Sequence, residues 1–230
     1  MLHSYLSNKS ISCYINRTLT SLLEVLPEEL KLAENFAEQR KKEFFTGRFC
    51  ARQALKKYGL EKYLIAFNEN GAPQWPAGYV GAITHTEGFY AAAVSPTSLF
   101  KGIGIDAVST RELETRQGFK GLILLEREQE LIANALLGPA KEKFAHLIFS
   151  MKESVFKCLL PNFDFDFDKD TLPFNDISIV AIEEEESLLT IEFADALVAK
   201  ARFLRKLHTG KYFINAAGVQ TCFLLSSESN

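Results

Sequence analysis

The sequence predicts an α+β fold built as a pseudo-twofold arrangement of two similar α/β halves. Each half is a long helix packed on a small antiparallel sheet, with the functional site expected in the cleft between them. Three observations carry this reading. Residues 27–57 and 141–160 are long helical stretches rich in basic residues. Each is followed by short apolar runs separated by turn residues, the pattern of antiparallel strands. "GRFCARQALKKYGL" and "SMKESVFKCLLPNF" hold comparable places in the two parts, which meet near residue 100. The expected division is therefore 1–100 and 101–230.

In order along the chain, Pro27 to Lys57 reads as helix with a break near Thr46–Gly47. "EKYLIAFNENGAPQWP" reads as a short apolar strand running into a turn of Asn, Gly and Pro. "YVGAITHTEGFYAAAVS" gives two strands around Glu87–Gly88, and "GIGIDAVST" a buried strand ending at Asp106. Helices follow at about 124–137 and 141–160, separated by Gly138–Pro139. "DISIVAIEEEESLLTIEFADA" gives two strands around an acidic turn, "KYFINAAGVQTCFLL" a last hairpin, and "SSESN" a loose tail.

Composition narrows the function. In 230 residues, 47% are hydrophobic and 24% charged, which suits a soluble globular protein with a substantial core. A net charge of −3 argues against a bulk nucleic-acid binder. No secretory signal and no membrane-spanning run are visible. Cys13, Cys50, Cys158 and Cys222 are scattered without a CxxC pair, as expected of reduced thiols in a cytoplasmic protein.

The stretch "FSMKESVFKCLLP" at 149–161 carries the chemistry. At about 100° per residue, Phe144, Leu147, Ile148, Met151, Val155, Cys158 and Leu159 form one apolar stripe. Glu153 lies on roughly the opposite side, flanked by Phe149 and Phe156. One reading is a surface ion pair between Glu153 and Lys157; the other is a carboxylate in a half-buried cleft, with Lys152 and Lys157 serving an anionic ligand.

Asp106, at the end of a buried strand, either caps the next turn or joins Glu153 around Mg²⁺, which takes oxygen ligands and keeps several waters. Lys41, Arg48 and Arg52 share a helix face, which is either solvated or a phosphate clamp, with Arg40 beside it. His85 is either a structural histidine or a ligand-binding one. "DFDFDKD" at 164–170 is not a calcium loop, since Lys169 and Asn175 stand where Gly and Glu are needed. "GIGID" is not a dinucleotide fingerprint.

Four blocks in order, "RKKEFFTGRFCAR" (40–52), "GAPQWPAGYVGAITHTEG" (71–88), "GIGIDA" (102–107) and "FSMKESVFK" (149–157), resemble the 4′-phosphopantetheinyl transferases of the surfactin/enterobactin-synthetase type, the enterobactin-like branch most of all. The resemblance implies a cytoplasmic, monomeric enzyme that moves phosphopantetheine from coenzyme A to a serine of an apo acyl, peptidyl or aryl carrier protein and releases adenosine 3′,5′-bisphosphate. It implies Asp106 and Glu153 as Mg²⁺ ligands and Asp106, Glu153 and Lys157 as catalytic residues. It implies coenzyme A contacts from Arg40, Arg48, Asn70, Gly71, Ala72, Pro73, Thr84, His85, Asp106, Lys152, Glu153 and Lys157, with the nucleotide on the 1–100 side and the metal and catalytic residues on the 101–230 side. No nucleic acid or membrane partner is implied.

The chain also departs from the family pattern. Val108 stands where many members carry an acid, so water, Glu126 or Glu128 would complete the Mg²⁺ shell. Asn70 and Ala72 stand where a lysine is common. These departures keep open a descendant that binds coenzyme A without transferring it. A protein-interaction module with salt-bridged helices is the remaining alternative.

Overall fold

A short helix, α1 (Leu2–Asn8), and strand β1 (Ser12–Asn16) lead into α2 (Pro27–Leu32) and the long α3 (Glu38–Leu55), followed by β2 (Tyr79–Thr86) and β3 (Phe89–Pro96). The second part runs β4 (Phe100–Ser109), α4 (Glu126–Asn134), α5 (Lys141–Leu159), β5 (Ile177–Glu183), β6 (Leu188–Phe193), α6 (Asp195–Lys200), β7 (Leu207–Asn215) and β8 (Gly218–Ser226). This computed structural model describes residues 1–69, 71–109, 111, 124–134, 141–160, 173–200 and 204–227. The "DFDFDKD" run, Gly138–Pro139 and Asn70 lie outside them.

The fold is α+β with two antiparallel sheets, ordered β1-β3-β2 and β4-β8-β7-β6-β5. One long helix packs on each: α3 on the first sheet and α5 on β4 and β8. Strand β3 shows how the sequence builds two cores at once. Successive strand side chains point to opposite faces. Phe89, Ala91 and Ala93 enter a cluster with Ile103, Ile105 and Ala107 of β4. Tyr90, Ala92 and Val94 enter another under α3, with Cys50, Leu55 and Trp75. The small side chains let both layers approach closely.

The apolar stripe of α5 is buried as the periodicity predicts: Phe144, Leu147, Ile148, Met151, Val155, Cys158 and Leu159 are all within the core of the second part. Full burial stabilises by about 1.5–3 kcal/mol for each large aliphatic or Phe side chain, before entropy is counted.

Three expectations are corrected. Strand β4 runs on to Ser109, so Asp106 lies inside the strand and not at its end. The helix break falls at residues 33–37, and α3 runs unbroken through Thr46–Gly47. Gly47 serves packing: a Cβ there would stand 2.9 Å from Ile83 Cγ2. The apolar run before the Asn-Gly-Pro turn forms only an isolated bridge, Phe67 to Pro73, instead of a strand. Among the described residues, no helix is long and apolar enough to cross a membrane.

Candidate active site

Strand β4 and helix α5 meet at Gly104. A Cβ on Gly104 would fall 1.6 Å from the Ser154 carbonyl oxygen, so only a glycine permits this backbone contact. Residues two apart on a strand share a face. Gly104, Asp106 and Val108 therefore all look toward α5, while Ile103, Ile105 and Ala107 face the inter-sheet core.

Asp106 is buried, and both its oxygens are engaged. Oδ1 accepts from Thr84 Oγ1 at 3.1 Å and from Lys157 Nζ at 2.6 Å; Oδ2 accepts from Ser150 Oγ at 2.8 Å. Ser150 is in turn joined to Thr221, and Thr221 to Ser154.

Asp106, Val108, Glu153, Phe149, Phe156 and Lys157 form one wall of a cavity of about 860 Å³. The facing wall comes from α3 and β2, with Arg40, Arg48, Thr84 and His85, and from the turn bearing Gly71, Ala72 and Pro73. That turn is closed by Gly71 at φ +76°, a left-handed conformation suited to glycine, and by Asn68 Oδ1 accepting from the Ala72 N–H at 2.9 Å.

The second side carries two arginines, Arg40 and Arg48, together with Glu43 and Glu87. Arg48 is buried, with its guanidinium 4.7 Å from the Phe44 ring centre and 5.0 Å from that of Phe67. Its contact to the Ala66 carbonyl is long at 3.4 Å, and its Nε has no hydrogen-bond partner among the described residues. Burial pushes the Arg48 pKa down to about 10, against the raising effect of Glu29. A buried, under-bonded guanidinium is stabilised by any anion that enters. Arg40 donates to His85 Nε2 at 3.1 Å, which requires a neutral imidazole carrying its proton on Nδ1. Burial lowers the His85 pKa; Arg40 and Lys157 lower it too, and Glu43 and Asp106 oppose them.

Several expected contacts are not made. Lys152 is a correction: it is fully buried, donates to Glu128 Oε2 at 2.8 Å and to the Phe174 carbonyl at 3.2 Å, and does not line the cavity. Glu128 is therefore not a replacement for the missing acid. Its Oε2 also accepts from the Leu125 N–H and its Oε1 from the Ile179 N–H. Glu126 is exposed and does not line the cavity either. Nor do Lys41, Arg48 and Arg52 form a clamp: Arg52 is buried against Glu29, and Lys41 pairs with Glu38 on the surface.

Sequence reasoning missed Glu43, Phe44 and Phe67 in the lining. Glu43, one helical turn from Arg40 and 3.8 Å away, had a visible signal in that spacing. Four carboxylates line the cavity: Asp106 and Glu153 on the β4–α5 wall, with Glu43 and Glu87 on the α3–β2 side. Among the described residues there is no cluster of three or more His, Cys, Asp or Glu side chains.

An arginine wall facing a carboxylate–lysine wall defines a cleft suited to an anionic, phosphate-bearing ligand. Known families agree with that class. A 4′-phosphopantetheinyl transferase N-terminal domain matches residues 28–95, and the 4′-phosphopantetheinyl transferase superfamily matches residues 102–215. Enterobactin synthase component D of Escherichia coli K12 is 32% identical over 70% of this chain and 75% of that protein. 4′-Phosphopantetheinyl transferase Svp of Streptomyces mobaraensis is 36% identical over 63% of this chain, and PptT of Mycobacterium tuberculosis 33% identical over 60%. The chain spans 59% and 60% of the lengths of these two. Among solved structures, holo-[acyl-carrier-protein] synthase from Neisseria meningitidis aligns at a TM-score of 0.38 and 18% identity, over 56% of this chain and 99% of that one. The chain belongs to the 4′-phosphopantetheinyl transferase superfamily.

Proposed function

We propose that this chain transfers 4′-phosphopantetheine from coenzyme A to a serine hydroxyl of an apo carrier protein, with Mg²⁺, releasing adenosine 3′,5′-bisphosphate. The observation that carries this is the convergence of Asp106 from β4 and Glu153 from α5 on one cavity whose facing wall holds Arg40, Arg48 and His85. The nucleotide end is assigned to the 1–100 side and the catalytic end to the 101–230 side. Within that reading, Gly71, Ala72 and Pro73 with Asn70 flank the nucleotide, and Thr84 and His85 meet the phosphates. Carriers of fatty-acid, polyketide, nonribosomal-peptide or siderophore synthesis are all of the right class. The chain acts as a cytoplasmic monomer, a reading supported by both cavity walls coming from one chain.

The donor set fits Mg²⁺: Asp106 and Glu153 share the β4–α5 wall of the cavity, and Mg²⁺ commonly takes one or two carboxylates, phosphate oxygens and waters. Lys157 Nζ already neutralises Asp106 there. Asp106 and Glu153 would hold the ion, which supplies charge neutralisation at the diphosphate.

The chain's own groups divide the remaining work. Glu153 takes the proton of the carrier serine as that oxygen bonds to the phosphorus on the pantetheine side. The bond from that phosphorus to the bridging oxygen breaks, and the electron pair leaves with adenosine 3′,5′-bisphosphate. Lys157 donates to the oxygens on which this charge collects. His85, with its proton on Nδ1, and Arg48 hold the remaining phosphate charge.

The test is intact-mass measurement of a panel of apo carrier proteins incubated with the chain, coenzyme A and Mg²⁺. A Mg²⁺-dependent gain of one phosphopantetheine is expected; no gain on any carrier sinks the reading. The burial of Val108 in the cavity wall, where an acid would face the two carboxylates, favours one second reading: a coenzyme A-binding descendant without transfer. It predicts a thermal shift with coenzyme A and no mass gain.

A further inference from the structure

Beneath the cavity lies a buried chain of three hydroxyls that none of the transfer chemistry uses. Ser150, Ser154 and Thr221 are all fully buried. Thr221 sits on β8 directly across the ladder from Asp106, and the two serines are one turn apart on α5. Ser150 Oγ lies 2.8 Å from Asp106 Oδ2 and 2.9 Å from Thr221 Oγ1; Ser154 Oγ lies 2.8 Å from Thr221 Oγ1.

Counting protons fixes the direction of this chain. An ionised carboxylate only accepts, so the single Ser150 proton goes to Asp106. The Thr221 hydroxyl donates to the Ser150 carbonyl at 2.9 Å, and its one proton serves the 2.9 Å contact with Ser150 Oγ only as a shared, three-centre bond. With the Thr221 proton committed, Ser154 donates to Thr221. Thr221 thus holds both the backbone and the hydroxyl of Ser150, whose own proton goes to Asp106.

We infer that Thr221, through Ser150, is a positioning residue for Asp106. The relay pins Oδ2 to the floor of the site and turns Oδ1 to the cavity, where Thr84 and Lys157 meet it. A helical serine otherwise donates to the carbonyl four residues back in its own helix. Here Ser150 donates to Asp106 instead, with Thr221 set against both its carbonyl and its Oγ. The strand furthest along the chain thus sets the aim of a carboxylate more than a hundred residues earlier. The inference rests on the reading that Asp106 faces the reacting diphosphate.

The test is a set of crystal structures of the protein and of Thr221→Val, Thr221→Ser and Ser150→Ala, with Mg²⁺ titrations of transfer alongside. Thr221→Val keeps the shape of the side chain and removes the donor. Its Ser150 hydroxyl is expected to swing back to its own helix and its Asp106 carboxylate to rotate. Its half-saturating Mg²⁺ should rise about tenfold, the lower end of losses for groups behind a metal ligand. KM for coenzyme A should stay within about twofold, since the coenzyme's other contacts are untouched. Thr221→Ser should restore both. Should Thr221→Val fail to fold, Ser150→Ala reads the same carboxylate directly. An Asp106 orientation unchanged in Thr221→Val, or in Ser150→Ala should Thr221→Val not fold, overturns the inference. Should the unaltered protein transfer nothing, the proposed function falls, and the crystal structures still decide the positioning.

Discussion

Helix α5 carries two lysine–carboxylate pairs of nearly equal length, and they do opposite things. Lys152 meets Glu128 at 2.8 Å with both side chains fully buried; Lys157 meets Asp106 at 2.6 Å at the cavity wall, with 28% of the lysine side chain exposed. Five residues of helix rotate a side chain by about 140°, so one lysine points into the packing against α4 and β5 while the other points to the cleft. The first pair ties α4, α5, β5 and the Phe174 turn together; the second lies at the cavity wall. Ion-pair chemistry alone does not separate structure from function. The direction in which the pair faces does.

The comparison is broken most severely at the cavity carboxylates. Asp106→Ala and Glu153→Gln should each slow transfer by about 10³-fold or more, on the order of 4 kcal/mol. The melting temperature of Glu153→Gln should stay within about 3 °C, while Asp106→Ala, which strands the buried Thr84 and Ser150 hydroxyls, should lose about 1–3 kcal/mol and roughly 2–12 °C. A stopped-flow or mass-gain assay beside calorimetry reads both.

Next comes the buried pair. Lys152→Ala strands the Glu128 charge and should cost about 3–5 kcal/mol, lowering the melting temperature by roughly 6–20 °C. Replacing both partners, Lys152→Met with Glu128→Leu, should recover most of that loss in denaturant unfolding, because neither charge is then buried alone. If Lys152→Ala instead unfolds like the parent, the two pairs are not the contrast described here.

Lys157→Ala should show the reverse signature. Transfer falls by about 10²-fold, and stability changes by no more than about 1 kcal/mol, as for other part-exposed pairs. The smallest effect concerns protons. Arg40 lowers the His85 pKa and donates to its Nε2, so Arg40→Ala should move the imidazole titration upward in NMR. Because His85 is held below its unfolded value, the folded state binds fewer protons. Its contribution is full above about pH 6.5 and is lost as pH falls from there toward the folded value. Arg40→Ala should therefore flatten the acid limb of the stability curve.

Much of this was legible in the sequence. The stripe on α5 follows from 3.6-residue periodicity, and it places Glu153, Phe149 and Phe156 on the cavity side without any coordinates. Lys152 was misplaced by adjacency: neighbours i and i+1 do not share a helix face, and Lys152 sits about 100° from Glu153. Arg48 and Arg52 show the limit of periodicity. They share a face, yet Glu29 of α2 claims Arg52 and leaves Arg48 for the cavity, a choice made by tertiary packing alone. The role of Thr221 had no local signal, since a threonine in a strand is ordinary and its partners lie seventy residues away.

The contact at Gly104 has a mechanical consequence. With no room for even a methyl group between strand and helix, any side chain at that position would wedge β4 from α5 and draw Asp106 away from Ser150 and Lys157.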